Sequence, residues 1–189
     1  MKIICAVWRR MTGFLIVVMW AMPLFCRLLP AYAQVTPAPD APRFWQTLGE
    51  DYRLGPVRVG GRKTWNAEPP IPEGRYWEPY KAPLCRSLRR ITIHHTHSTY
   101  SIRSLQQFHQ TMADAKADIA YHYFIDSDGS VYEARPMGFI GSHSEGDNTF
   151  NVSIVLNGDF QEHPPALVQQ RALNLLLQGL IELCPGSYE

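Results

Sequence analysis

The hydrophobic pattern of residues 91–183 limits the fold more than any other feature of this sequence. Residues 91–96 alternate as a β-strand does, with one face carrying Ile91, Ile93 and His95 and the other carrying Thr92, His94 and Thr96. This pattern predicts that His94 and His95 point to opposite sides of one sheet.

Four further elements follow this strand. The pattern predicts a helix over 102–112 behind candidate caps at Thr99 and Ser101, and a hairpin around Asp128-Gly129. It also predicts a buried strand over 152–156 and a last helix that begins with Pro165 and ends at Leu183. This order predicts an α/β fold with a mixed central β-sheet flanked by helices.

The stretch 43–83 shows neither helix nor strand periodicity and is rich in proline, glycine and aromatic residues. We expect irregular structure there. Its aromatic side chains argue against disorder, and four of them are expected to hold it to the domain: Trp45, Trp65, Tyr76 and Trp77.

Residues 1–33 have the three parts of a secretory signal peptide. Lys2, Arg9 and Arg10 precede the apolar run 11–26, and Ala31-Tyr32-Ala33 supplies a small-x-small cleavage site. The alternative is a membrane anchor, but the apolar run is shorter than the roughly 20 residues that a span needs. We expect cleavage after Ala33, export to the periplasm or beyond the cell, and no stable membrane span afterwards. Residues 34–55 are predicted to form a Pro-rich linker and N-terminal extension, and 56–189 the folded domain.

The charge balance excludes a typical nucleic-acid-binding protein. The chain has 18 basic and 17 acidic residues and a formal charge of +1, whereas proteins that bind phosphate backbones carry a clear basic excess. The predicted signal holds four of the basic residues and no acidic one, so residues 34–189 are slightly acidic. Two cysteines remain there, Cys85 and Cys184, which form either a disulfide or two buried thiols.

Histidine is the residue most able to do chemistry in this chain. All seven histidines follow residue 33, and three of them lie within residues 94–97. Imidazole is a frequent zinc ligand, although a pair of histidines also serves as a hydrogen-bonded structural feature. Because His94 shares its strand face with threonines, it is the better candidate for an open site.

Six segments resemble, in order and approximate spacing, the zinc-dependent N-acetylmuramoyl-L-alanine amidases, which share their domain with the peptidoglycan recognition proteins. These segments are 62–70 (RKTWNAEPP), 91–96 (ITIHHT), 118–123 (DIAYHY), 128–135 (DGSVYEAR), 141–143 (GSH) and 157–160 (NGDF). The resemblance covers about residues 57–183. It implies the amidase fold, with peptidoglycan as the partner and a bound Zn²⁺ as the cofactor.

The resemblance also implies roles for individual residues. His94 matches the first zinc ligand, and Tyr121 matches the tyrosine beside the metal, which hydrogen-bonds the attacking water or the oxyanion. Thr96, His143 and Asn148 match positions that line the groove for glycan and peptide. The implied reaction is hydrolysis of the amide between N-acetylmuramic acid and the L-alanine of the stem peptide.

The match stops before the other two zinc ligands. In the family these are a histidine in a Gly-His-Arg motif and a cysteine or aspartate near Pro-Gly, both beyond the last helix. Cys184-Pro185-Gly186 ends the predicted last helix, so Cys184 is interpreted as structural. Three explanations stay open: a C-terminally truncated amidase, which we favour; a site rebuilt with His97 or His143; or a peptidoglycan-binding module without catalysis.

Overall fold

The computed structural model describes residues 49–71 and 76–188. Within these ranges the elements are β1 (Tyr52–Leu54), β2 (Val57–Val59), α1 (Leu84–Ser87), β3 (Arg90–His95), α2 (Ile102–Thr111), β4 (Tyr123–Ile125), β5 (Val131–Glu133), β6 (Asn151–Leu156) and α3 (Leu167–Leu183). The predicted signal peptide, most of the predicted linker and Trp45 lie outside the described residues.

Four strands form the central sheet in the order β3-β6-β4-β5. β3 and β4 both run parallel to β6, whereas β5 runs antiparallel to β4. Parallel neighbours need a crossover connection, and α2 lies in the one that leaves β3. The β4–β5 hairpin turns at Gly129, which has a φ of +85° and therefore uses the backbone freedom of glycine. The predicted mixed sheet with helices is confirmed.

Each face of this sheet carries its own apolar cluster. On the α3 side the buried residues include Tyr123, Ile125, Ile154, Leu156, Leu176 and Leu180. On the α2 side they include Ile102, Leu105, Phe124 and Val155. Because alternate residues of β4 and β6 enter different clusters, these strands are buried on both faces and consist almost entirely of apolar residues.

The helix starts are set by capping. Ser101 precedes α2, and its hydroxyl accepts a hydrogen bond from the Ser104 amide at 3.1 Å. Of the two candidate caps, Thr99 and Ser101, Ser101 is therefore the N-cap. The prediction that Pro165 is the first residue of α3 is wrong. The Gln169 side chain accepts from the amide of Ala166 at 3.3 Å, which makes Ala166 the N-cap and starts the helix at Leu167.

A two-stranded hairpin of β1 and β2 packs beside α3. The prediction of irregular structure over 43–83 is wrong here, because strands of three residues are too short to show an alternating pattern. Gly55 turns the chain between them at a φ of +55°. Gly179 lets α3 approach closely, since a Cβ there would lie 2.3 Å from the Leu54 carbonyl oxygen. β1 thus lies within the predicted extension 34–55.

Aromatic residues do hold the segment before β3 to the sheet. The Trp65 indole is buried and donates to the Glu133 carbonyl at 2.9 Å. Trp77 stacks on Phe139 with ring centroids 4.1 Å apart. The Tyr76 ring is 45% exposed, so the expectation fails for that side chain.

A disulfide joins α1 to the end of α3. Cys85 and Cys184 are bonded, with their Cα atoms 5.0 Å apart, which decides between the two states that the sequence left open. A half-cystine has no thiolate to offer a metal ion, so the interpretation of Cys184 as a structural residue is confirmed. Within residues 49–71 and 76–188, no helix combines the length and apolarity that crossing a bilayer requires.

Candidate functional site

His94 occupies the carboxyl end of β3, where strand alternation directs it to the α2 side of the sheet. In the register of β3 with β6, His94 lies beside Val155, and Val155 belongs to the cluster on the α2 side. Ile91, three residues earlier, packs against the opposite cluster. The prediction that His94 and His95 point to opposite sides of the sheet is therefore confirmed. His94 is half-buried and lies in an edge strand.

Two imidazoles and a phenol converge at this position. His94 Nε2 lies 3.0 Å from Nδ1 of His143, which the loop before β6 contributes. The ring of Tyr121 is tilted against His94 with centroids 5.2 Å apart, and it lies 6.3 Å from the His143 ring. Tyr121 lies two residues before β4, so three separate segments of the chain meet here.

Burial determines the protonation of these groups. Removal from water lowers the pKa of His94, and the neighbouring His95 adds to this effect. Burial and then His94 lower the pKa of His143 to about 4. Burial raises the pKa of Tyr121. At neutral pH both imidazoles are therefore neutral, with a lone pair available, and the phenol keeps its proton.

The His143 ring has one nitrogen that the described residues leave without a partner. Its Nδ1 lies near His94 and also 3.0 Å from the Ser144 hydroxyl. Its Nε2 is buried with no hydrogen-bond partner among residues 49–71 and 76–188. The ring rests on Gly141, where a Cβ would come within 2.5 Å of it. A buried orphan nitrogen is costly, which marks this position as one prepared for a ligand or a water.

Asn148 shapes the loop that carries His143. Its Oδ1 accepts hydrogen bonds from the backbone amides of His143 and Ser144 at 2.7 and 2.8 Å. These bonds close the loop from inside and fix the direction in which the His143 ring leaves the backbone. Its position also borders a cavity of about 240 Å³ that Tyr76, Glu78 and Ile140 help to line.

Thr96 makes its contacts with the segment after β6. Its hydroxyl accepts from the Gly158 amide at 2.8 Å and donates to the Ser98 carbonyl. Thr96 thus ties the end of β3 to the turn after β6. Among the five predicted site residues, the structure brings His94, Tyr121 and His143 into one group, with Asn148 behind His143 and Thr96 at the strand end.

The donor types suit zinc, but the described residues bring together two ligands rather than three. Two nitrogens bound to one tetrahedral zinc ion at about 2.05 Å lie about 3.3 Å apart, close to the 3.0 Å separating His94 Nε2 and His143 Nδ1. A catalytic zinc site uses three protein ligands. In the described part of the chain, no further cysteine, histidine or carboxylate completes a group of three around this pair.

One residue near the site was not singled out from the sequence. His109 of α2 is 6% exposed, and its ring lies 5.7 Å from that of Tyr121. Its Nδ1 accepts from the Ala120 amide at 3.2 Å, so it positions the segment that leads into Tyr121. The sequence does show a histidine on the apolar face of a predicted helix. A histidine that is buried in the core and hydrogen-bonded there gives the same pattern, so the pattern alone did not indicate a site.

A family model described as N-acetylmuramoyl-L-alanine amidase matches residues 85–185, more than half of the chain. The chain belongs to this amidase family. The matched range of the amidase domain contains all five predicted site residues: His94, Thr96, Tyr121, His143 and Asn148.

Relatives of this amidase-family chain include both recognition proteins and amidases. Peptidoglycan recognition protein 3 of Mus musculus is 38% identical over 77 residues, 41% of this chain and 22% of that protein. The N-acetylmuramoyl-L-alanine amidase of Mus musculus is 27% identical over 138 residues, 67% of this chain and 24% of the enzyme. The chain therefore spans less than a quarter of the length of these two curated relatives.

A solved structure of the same fold is the crystal structure of Drosophila peptidoglycan recognition protein SD. It superposes with a TM-score of 0.57 at 27% identity, covering 65% of this chain and 73% of that one. The fold predicted from the sequence resemblance is thereby confirmed.

Proposed function

We propose that this protein hydrolyses the amide bond between N-acetylmuramic acid and the L-alanine of the peptidoglycan stem peptide. The observation that carries the proposal is the meeting of His94, His143 and Tyr121 on one face of the sheet in a chain of the amidase family. Neutral imidazoles are metal ligands, and a protonated phenol can donate to a developing oxyanion, so these groups suit metal-assisted amide hydrolysis.

Zn²⁺ is the cofactor that these residues suit. His94 would hold it, because its position at the strand end, its lowered pKa and its closeness to a second imidazole all favour a neutral ligand. When bound, zinc supplies a Lewis acid for the scissile carbonyl and lowers the pKa of a bound water to about 7.

Tyr121 is the proposed catalytic residue. Its raised pKa keeps the phenol protonated at neutral pH, so its hydroxyl can donate to the oxygen of the scissile carbonyl as negative charge develops there. His109 supports this placement by fixing the backbone just before Tyr121.

His143, Asn148 and Thr96 are the proposed substrate contacts. His143 is half-buried, and its Nδ1 lies 3.0 Å from His94 Nε2, which puts its ring beside the proposed metal position. Asn148 keeps the His143 loop in place, and Thr96 fixes the end of β3.

Export to the periplasm or beyond the cell completes the proposal, since peptidoglycan lies there. Support comes from the signal-like residues 1–33 and from the disulfide between Cys85 and Cys184, because disulfides persist in oxidising compartments.

The test is an assay of new L-alanine amino termini released from purified sacculi in the presence of Zn²⁺. The parent chain should release them, His94→Ala should abolish release, and Tyr121→Phe should reduce it by about 10²–10³-fold. His163→Ala removes an exposed histidine and should leave the rate unchanged. If the zinc-supplied parent releases no stem peptide, the enzymatic proposal is wrong.

The alternative is a peptidoglycan-binding module without catalysis. It is favoured by one observation: the described residues supply two converging imidazoles and no third ligand. Under this alternative the chain sediments with sacculi without cutting them, and His94→Ala leaves binding nearly unchanged. Failure to sediment with sacculi would remove it.

A further inference from the structure

A second group of metal-ligating side chains lies on the face of the sheet opposite to His94. We call His95, His97 and Asp159 the rim cluster. One ligand atom of each residue lies within 4.8 Å of the others. His95 is paired in register with Leu156, which belongs to the α3-side cluster, so the rim cluster is separated from His94 by the sheet.

The fold brings the two halves of the rim cluster together. His95 is the last residue of β3 and His97 follows two residues later, whereas Asp159 follows β6. The Thr96 hydroxyl accepts from the Gly158 amide at 2.8 Å, and a backbone bridge joins Ser98 to Gly158. These bonds clamp the two strand ends, so the three side chains meet without any movement of the chain.

The His97 backbone turns its ring back towards His95. His97 has a φ of +56°, a left-handed conformation that is uncommon for a residue with a side chain. The two imidazole rings then lie with centroids 3.8 Å apart. His97 is exposed and His95 is half-buried, which gives a solvent-borne ion access to both.

The nitrogen and oxygen atoms of the rim cluster are already oriented. His95 Nδ1 lies 3.6 Å from Asp159 Oδ1 and accepts from the Phe160 amide at 3.0 Å. Asp159 Oδ1 accepts from the Gln161 amide at 3.2 Å, and Gln161 Nε2 lies 3.2 Å from His97 Nδ1. An ion bound through His95 Nδ1 would displace the Phe160 amide, and one bound through His97 Nδ1 would displace the Gln161 side chain.

We propose that the rim cluster binds a divalent transition-metal ion of the zinc class. Two imidazoles and one carboxylate are the ligand composition of many zinc sites, whereas Ca²⁺ and Mg²⁺ take oxygen ligands. Ligand atoms on tetrahedral zinc lie about 3.3 Å apart. The ligand atoms of the rim cluster lie up to 4.8 Å apart. The side chains of His97 and Asp159 are exposed, so a change of rotamer can bring these atoms to the spacing that zinc needs.

Such an ion would have a structural effect independent of the amidase reaction. It would cross-link the end of β3 to the turn after β6, adding a coordinate link to the hydrogen bonds that already join these two segments. With three protein ligands, at least one coordination position would face solvent.

The experiment is calorimetric titration of Zn²⁺ into the full chain after removal of metal by a chelator. All variants carry His94→Ala, so that the proposed catalytic site contributes nothing. The His94→Ala chain should bind one ion. Adding His97→Asn or Asp159→Asn should weaken that binding by at least about 100-fold. Loss of a residue that only hydrogen-bonds a metal ligand already lowers metal affinity by about 10–100-fold.

Both substitutions preserve the local backbone. Asparagine tolerates a positive φ, and at 159 it keeps an oxygen for the Gln161 amide. His163→Ala on the same background removes an exposed histidine outside the cluster and should leave the affinity unchanged. Ring-nitrogen NMR should show zinc-dependent shifts at His95 and His97.

Two results would overturn the proposal: a His94→Ala chain that binds no zinc, or equal affinity with and without His97 and Asp159. Neither result bears on cleavage of peptidoglycan, which is measured separately on the chain that retains His94.

Discussion

Lowering the pH from 7.5 to 5 should destabilise the fold through His122. This side chain is fully buried. Its Nε2–H donates to the Phe139 carbonyl at 2.9 Å, and its Nδ1 accepts from the Ser153 amide at 3.0 Å. The Ser153 hydroxyl also lies 3.0 Å from Nδ1, but removal of the ring from water disfavours the charged form, so the folded protein holds the neutral ring.

The magnitude follows from the pKa of His122 in the two states. Burial lowers its pKa from 6.5 to about 3 in the folded protein. A lowered histidine pKa means that the unfolded chain binds the proton more tightly than the folded protein does. The contribution of His122 to the free energy of unfolding is therefore fully present above pH 6.5 and is lost as the pH falls towards 3. A pH of 5 lies 1.5 units below the pKa of His122 in the unfolded chain, which corresponds to a loss of about 2 kcal/mol in the free energy of unfolding.

The assay is urea unfolding at pH 7.5 and pH 5 for the parent and for His122→Gln. Glutamine offers one donor and one acceptor but does not titrate. Its own packing cost is the same at both pH values and cancels in the difference. The variant should therefore lose about 2 kcal/mol less than the parent between these pH values.

The matched control is His163→Gln, because His163 is exposed. It should show the pH dependence of the parent. If His122→Gln also showed the parent's dependence, the reasoning from burial of this imidazole would be refuted.

Three further predictions concern stability. Reducing the Cys85–Cys184 disulfide, which spans 99 residues, should lower the free energy of unfolding by about 4–5 kcal/mol; equal unfolding curves with and without reductant would contradict this. Gly179→Ala should destabilise the fold by several kcal/mol, since the new Cβ would lie 2.3 Å from the Leu54 carbonyl oxygen. Thermal melting should show a lower Tm, and an unshifted Tm would exclude this close contact. Trp65→Phe removes the hydrogen bond from the buried indole to the Glu133 carbonyl of β5 and should cost about 0.5–1.5 kcal/mol, measured by urea unfolding; an unchanged unfolding curve would contradict this.

Local sequence patterns predicted the two six-residue strands of the central sheet, because β3 alternates and β6 is mostly apolar. Residues 151–156 are buried throughout, and such a run leaves few alternatives to a central strand. The β4–β5 hairpin has strands of only three residues, but its Asp128-Gly129 turn indicated it. The β1–β2 hairpin has equally short strands and no such Asp-Gly turn, so it escaped prediction. Periodicity needs more residues than these strands contain.

The site divides in the same way. Strand alternation was enough to place His94 and His95 on opposite faces, because that geometry is local to one strand. The 3.0 Å contact between His94 and His143 joins residues 49 positions apart, and no local pattern encodes such a distance. The resemblance indicated both residues, but only the structure put their nitrogens side by side.

By itself, the sequence determined the order of strands and helices over residues 90–183, the face to which each histidine of β3 points, and the resemblance to the amidase family. Tertiary structure decided that Cys85 and Cys184 are bonded, that His97 folds back onto His95, and that Asp159 joins them. The physical reason is the range of the interactions. Hydrophobic periodicity and capping act within one element, whereas a disulfide, a histidine pair or a metal-ligating cluster depends on how separate elements pack.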